Sequence, residues 1–260
     1  MQIVRTRWIS GEKTQGCEKA PVELLKELKE IKSKEDGQAI EFEKLNLEEI
    51  HVDLKNKEEA DYLIYKNSIE IFEKNNKAFF IGGDHSIDYS IVRAFNKTQT
   101  NSLVIVFDAH SDCFESGKIP NNRQWIRKLA EENFGNMLLI STRNLNQEEI
   151  YFLKEKRISI IKMNVITEEI AGICDMVMER ARLAGGFYIS IDMDCLDPCF
   201  APGGIDLEAG GLTSRDLIYF LKRLSLLGNF RGASITEINP DKDINRITLK
   251  LGARLLAEMI

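Results

Sequence analysis

Leu103-Val104-Ile105-Val106-Phe107-Asp108-Ala109-His110-Ser111-Asp112 is the stretch from which the rest of the 260-residue chain can be read. Its first five residues are β-branched, aromatic or leucine without interruption, which suits a strand in a sheet covered on both faces. Side chains alternate along an extended segment, so Asp108, His110 and Asp112 are predicted to point the same way. Two carboxylates and an imidazole leaving one strand end in one direction form a candidate metal site. A chance cluster of Asp and His in a loop reads the same in isolation, so the rest of the chain has to decide.

The same grammar recurs on both sides. The run Ala78-Phe79-Phe80-Ile81 ends in Gly82-Gly83-Asp84-His85-Ser86, where paired glycines allow a tight turn and a close backbone approach. A phosphate cradle is the rival reading there, but no GxGxxG pattern and no Lys-Ser/Thr pair accompanies it. Phe187-Tyr188-Ile189-Ser190-Ile191 runs into Asp192 and Asp194, and the strand from Phe230 to Ile235 runs into Thr236-Glu237. Further strands are predicted at 2–9, 39–47 (with its loop), 137–140 and 157–162. Helices are predicted at 22–31, 57–75, 87–96, 123–133, 147–156, 167–184, 213–226 and 243–259, from apolar spacing, Pro21 in a first turn and Thr213 as a cap. Strands and helices alternate without a repeat or a long linker. The fold class is therefore α/β, a three-layer α/β/α sandwich around one mostly parallel sheet, forming a single domain over 1–260.

Ligands in such sheets collect outside the carboxyl ends of the strands. His85, Asp108, His110, Asp112, Asp192, Asp194 and Glu237 all fall at such ends, on four separate strands. That coincidence decides for a metal site. Four aspartates and two histidines suit Mn²⁺, with Fe, Co or Zn as substitutes, and the lack of thiolate argues against structural zinc. Six ligands exceed the need of one ion. Two divalent ions match the formal charge of four carboxylates, and a pair about 3.5–4 Å apart makes water nucleophilic near neutral pH, which implies hydrolysis.

Composition agrees with a soluble enzyme. Hydrophobic residues make up 43% and charged residues 29%, and the formal net charge is −6, which disfavours nucleic acid as a partner. No apolar stretch is long enough to span a bilayer, and MQIVRTRWISGEK lacks the apolar core of a secretory leader. Five cysteines without a CxxC pair read as reduced thiols in a cytoplasmic protein, with Cys113 and Cys195 facing away from the neighbouring ligands.

Three stretches, GGDHS at 82–86, DAHSD at 108–112 and SIDMDCLDPCFAPG at 190–203, resemble the signatures of the ureohydrolases, the family of arginases and agmatinases. GCEKAPVELL at 16–25, GGLT at 210–213 and EINP at 237–240 extend the resemblance over nearly the whole chain, in order. The resemblance implies two Mn²⁺ per subunit, one held by His85, Asp108, Asp112 and Asp192. The other would be held by Asp108, His110, Asp192 and Asp194. It also implies that Glu237 pairs with a small cationic guanidino substrate, and that the protein is a homo-oligomer, trimer or hexamer. Asp112 or water is the expected proton donor to the leaving amine, and Ser190 and Asp197-Pro198 are expected to support the ligands.

The chain departs from the family at the rim. Where a His-Gly pair usually follows DAHSD, aligning NNRQWIRKL puts Asn122 at the histidine and Arg123 at the glycine. Asparagine exchanges no proton near neutral pH. His51 is the one other histidine, and nothing places it at the site. Asn144 and Asn146 stand where arginases carry acidic residues that help bind an α-amino group, which disfavours arginine and puts agmatine, and hence polyamine metabolism, first. Asp206 and Glu208 either meet a distal cationic group or are solvated loop carboxylates. Formimino or other amidine hydrolysis, arginase activity, and a weakly catalytic metal-binding relative are the alternatives.

Overall fold

The computed structural model describes all 260 residues. Eight strands form one wholly parallel sheet: β1 (Gln2–Thr6), β2 (Asn46–Ile50), β3 (Ala78–Gly82), β4 (Ser102–Phe107), β5 (Met137–Thr142), β6 (Ser159–Lys162), β7 (Gly186–Asp192) and β8 (Phe230–Thr236). Their spatial order is β2-β1-β3-β8-β7-β4-β5-β6. Nine α-helices connect them: α1 (Ala20–Glu30), α2 (Lys57–Lys74), α3 (Ile87–Thr98), α4 (Trp125–Glu131), α5 (Gln147–Glu155), α6 (Met163–Glu168), α7 (Ile170–Arg182), α8 (Ser214–Ser225) and α9 (Ile247–Met259).

The sheet is covered on both sides, as the continuous apolar runs require. Leu103, Ile105 and Phe107 of β4 point into one core with Leu24 of α1, Val177 of α7, Phe220 of α8 and Leu256 of α9. Val104 and Val106 point into the other, with Ile64 of α2, Phe95 of α3, Trp125 of α4 and Phe152 of α5. These two cores are the filling of the three-layer sandwich.

Two strand predictions needed correction. The second strand begins at Asn46, not at Ala39, and residues 42–44 form a 3₁₀ turn. That edge strand has three exposed residues at its start, so burial left little pattern to place its boundary. The first strand ends at Thr6, and Trp8 instead uses its carbonyl to accept the Asp84 N–H.

Chain order explains where a crevice opens. After β3 the chain crosses by α3 to β4, leaving room for β8 and β7, which are filled in later from distant sequence. The four strands whose ends carry the candidate site residues, β3, β8, β7 and β4, are thus consecutive neighbours at the centre of the sheet.

Candidate metal centre and its mouth

Each candidate residue is aimed by a local break in regular structure. At the end of β3, a Cβ on Gly83 would lie 2.1 Å from the Trp8 carbonyl oxygen, and one on Gly82 would lie 2.3 Å from Ile87 Cδ1. The glycines are needed for close approach, and neither has the positive φ of a left-handed turn. Asp84 follows, fully buried, and its carboxylate accepts from Ser10, Thr14 and Ser86, pinning the loop that delivers His85.

β4 ends at Phe107, so Asp108 to Asp112 is not a continued strand. Asp112 has φ +50° and Glu237 has φ +63°, left-handed conformations that ordinary side chains rarely adopt. Strict alternation therefore does not aim Asp112; a reversal of the backbone does. Asp192 closes β7, and its Oδ1 accepts the Asp194 N–H at 2.9 Å to start a 3₁₀ turn. Asp194 Oδ1 in turn accepts the Ala109 N–H at 3.0 Å, tying the β7 and β4 loops together.

All six predicted ligand residues are brought together and buried. His85 Nδ1 lies 3.1 Å from Asp108 Oδ2, 3.0 Å from Asp112 Oδ2 and 3.2 Å from Asp192 Oδ2. His110 Nδ1 lies 2.8 Å from Asp194 Oδ2 and 3.6 Å from Asp108 Oδ1. Two sets of donor atoms are close enough to share an ion each, His85 with Asp108 and Asp192, and Asp108 with His110 and Asp194. Asp108 is common to both.

The chemistry of these atoms fits divalent cations. Buried polar atoms normally find a hydrogen-bond partner, yet His85 Nδ1, Asp108 Oδ2 and His110 Nδ1 have none. On the far side of the ring, His85 Nε2 is 2.7 Å from Ser190 Oγ, whose hydroxyl donates to Asp88. That contact fixes the imidazole and leaves Nδ1 facing the carboxylates. Trp125 Nε1 donates to Asp112 Oδ2 at 2.7 Å, and its ring centroid is 4.8 Å from that of His85.

Crowding in a dry site raises the proton affinity of three of the four carboxylates, while His110 and His85 hold Asp108 low against its burial. Burial, and then the neighbouring Asp108, push the Asp112 carboxyl up to about 7 against the pull of His85. Burial followed by Asp194 and Asp108 pushes Asp192 well up too. Burial by itself lowers the His110 imidazole, but the adjoining Asp108 and Asp194 carboxylates carry it up to about 11. Such a cluster is suited to neutralisation by cations.

Glu237 sits beside the centre, 2% exposed. Its Oε1 accepts from Asn122 Nδ2 at 2.8 Å and from the His85 backbone N–H at 3.3 Å. The Asn122 contact was not foreseen from the sequence; only the shared mouth position hinted at it. Above lies a cavity of about 510 Å³ lined by His110, Asn122, Arg123, Asn144, Asp206 and Glu208, among others. Asn144 donates to Glu208, whose Oε1 is 3.6 Å from His110 Nε2.

Two predicted rim contacts change character. Asn146, expected to meet substrate, is absent from the cavity wall, because its side-chain oxygen accepts the Glu149 N–H and caps α5 in a capping box. Asp206 does line the cavity, but it faces the Arg123 guanidinium at 3.7 Å. Arg143, next to Asn144 in the chain, bonds to the carbonyls of Asp194, Cys195, Leu196, Glu208 and Ala209, holding the rim loop to the ligand loop. His51 is exposed and lies outside the site, and four of the five free cysteines are buried.

The model of the Arginase family matches residues 6–260. Arginase 1, mitochondrial, of Arabidopsis thaliana is 32% identical over 195 residues, covering 72% of this chain and 55% of that protein. The agmatinase of Bacillus subtilis is 29% identical over 196 residues, 73% of this chain and 65% of the relative. The chain thus matches little more than half the length of the first of these relatives. The crystal structure of formimidoylglutamase from Bacillus subtilis superposes with a TM-score of 0.91 at 23% identity, over 99% of this chain and 85% of the other, and shows the same fold.

Proposed function

We propose that this chain, which belongs to the arginase family, binds two divalent cations and hydrolyses a C–N bond of a linear amidine, releasing urea and an amine from a guanidino compound. The observation that carries the proposal is the convergence of three buried, unpartnered atoms, His85 Nδ1, Asp108 Oδ2 and His110 Nδ1, on a cluster of carboxylates. His85, Asp108, Asp112 and Asp192 would hold one ion, and Asp108, His110 and Asp194, with Asp192, would hold the other. Carboxylate-rich ligands with imidazole favour Mn²⁺. When bound, the pair supplies Lewis acidity and lowers the pKa of water towards neutrality.

The chain's own side chains do the rest. Glu237, held through Oε1, has Oε2 free to pair with a guanidinium or amidinium and fix its carbon over the centre. Asn122 holds that carboxylate and moves no proton. Asp112, whose Oδ2 takes the Trp125 and His85 contacts while Oδ1 makes no hydrogen bond, is the side chain placed to pass a proton to the leaving amine. Agmatine, favoured by the missing amino-acid contacts, and other linear amidines share this head group and differ in the tail that meets the rim.

We propose further that 1–260 acts as one catalytic domain in a cytoplasmic homo-oligomer, in keeping with five free cysteines and the family relationship. No helix is long and apolar enough to cross a membrane. The test is Mn²⁺-loaded protein with agmatine, arginine, 4-guanidinobutyrate and formiminoglutamate. Urea or formamide from at least one is expected; release of neither, nor of ammonia, from all four contradicts the reading.

A further inference from the structure

The mouth of the cavity holds two cations and two carboxylates, and they are not equally engaged. Glu208 accepts from Asn144 and approaches His110, while Asp206 faces Arg123. Lys13, on the same wall, is exposed. Arg123 is held at its backbone, where its N–H donates to Asn121 Oδ1 at 2.9 Å and its carbonyl accepts the Phe114 N–H at 3.0 Å. Its guanidinium stacks on the Phe114 ring, 5.4 Å from the centroid, with the side chain 23% exposed.

That guanidinium makes no hydrogen bond at all. Its one charged neighbour within reach is Asp206 at 3.7 Å, beyond hydrogen-bond length. A rigid fork of donors on an ordered, stacked side chain is suited to bidentate capture of a planar carboxylate. Divalent ions at the centre would offset the Asp112 and Asp108 charges that face Arg123. An ammonium tail entering the same mouth would meet Arg123 and Lys13, while the two carboxylates there are already engaged, Asp206 with Arg123 and Glu208 with Asn144.

We propose that Arg123 is the tail anchor, and that the substrate is a linear amidine whose far end carries a carboxylate, seated between Arg123 and Lys13. This rests on the amidine-hydrolase reading and narrows its substrate class to guanidino or formimino acids, displacing amine-tailed compounds. The reaction is balanced as for any member of the class: water adds to the amidine carbon, the C–N bond to the tail breaks, and the tail amine leaves with a proton.

The decisive comparison uses tails of matched length. For Mn²⁺-loaded protein, kcat/KM for 4-guanidinobutyrate or formiminoglutamate is expected to exceed that for agmatine by about tenfold or more. Arg123→Gln is expected to erase the preference, chiefly by raising KM for the acids while KM for agmatine stays level or falls. A second readout needs no turnover: calorimetry with 4-acetamidobutyrate and N-acetylputrescine, which differ only in a carboxylate or ammonium end. The wild type is expected to bind the former more tightly, and Arg123→Gln to lose that difference.

Agmatine as the better substrate, or equal losses for acid and amine in Arg123→Gln, overturns the tail assignment and leaves amidine hydrolysis standing. No turnover of any compound, with carboxylate-selective binding that depends on Arg123, overturns hydrolysis and keeps the anchor. No turnover and no selectivity overturns both.

Discussion

Asn122→Ala isolates the least expected contact in the centre. Asn122 Nδ2 donates to Glu237 Oε1 at 2.8 Å, and the only other donor to that carboxylate is the His85 backbone N–H, at 3.3 Å. Both side chains are buried, at 9% and 2% exposure. A hydrogen bond to a charged group contributes about 1.5–3 kcal/mol, which translates to about 10–150-fold in kcat/KM if Glu237 orients the substrate. A water filling the vacated space at the mouth restores part of the interaction, so the lower end, about 10–30-fold, is expected. Asn122→Asp is expected to be worse at pH 8, where like charges face each other, and to recover partly in acid, where the two carboxyls share a proton. The assay is steady-state release of urea or formamide, with metal counted by mass spectrometry in each variant. Bound metal should stay at the wild-type count. An Asn122→Ala enzyme within twofold of wild type, fully loaded, would refute the idea that this amide positions Glu237.

Other outcomes follow from the same geometry. Trp125→Phe removes the 2.7 Å bond to Asp112 while keeping a ring against His85, and should weaken binding of one of the two ions by about tenfold or more in titration; unchanged affinity contradicts that role. Protons compete with cations both for Asp112, whose carboxyl is pushed up to about 7, and for His110, whose imidazole is carried up to about 11, so Mn²⁺ affinity should rise by considerably more than about tenfold from pH 6 to pH 8; a flat profile contradicts the competition. Asn146→Ala loses the α5 capping box and should lower stability by about 0.5–2 kcal/mol with KM unchanged; a KM effect at unchanged melting temperature returns Asn146 to the substrate rim.

Much of the fold was legible because a parallel sheet buried on both faces leaves a strong imprint. Uninterrupted runs such as Leu103–Phe107 and Phe187–Ile191 leave little ambiguity about strands, and a chemically loaded residue after each run marks the carboxyl edge. The edge strand Asn46–Ile50 was misplaced because only its last residue is buried. The order of the strands was not legible: β7 and β8 lie between β3 and β4, a long-range insertion that no local pattern encodes.

The cluster of six could be gathered from strand ends, yet its aiming could not. The left-handed turns at Asp112 and Glu237 replace the simple alternation that the sequence suggested. At the rim, side chains were read by type and position, whereas their partners decide what they do. Asn146 is occupied with a helix end, Asp206 faces Arg123, and Arg143 fastens two loops through backbone carbonyls. Carbonyl acceptors carry no sequence signature, so that fastening was invisible beforehand.

The account depends most directly on a pair of cations at the centre of the sheet edge. Anomalous diffraction from crystals grown with Mn²⁺ should show two peaks about 3.5–4 Å apart, sharing Asp108, with His85 at one and His110 at the other. A single peak, or none among these side chains at saturating Mn²⁺, would contradict it.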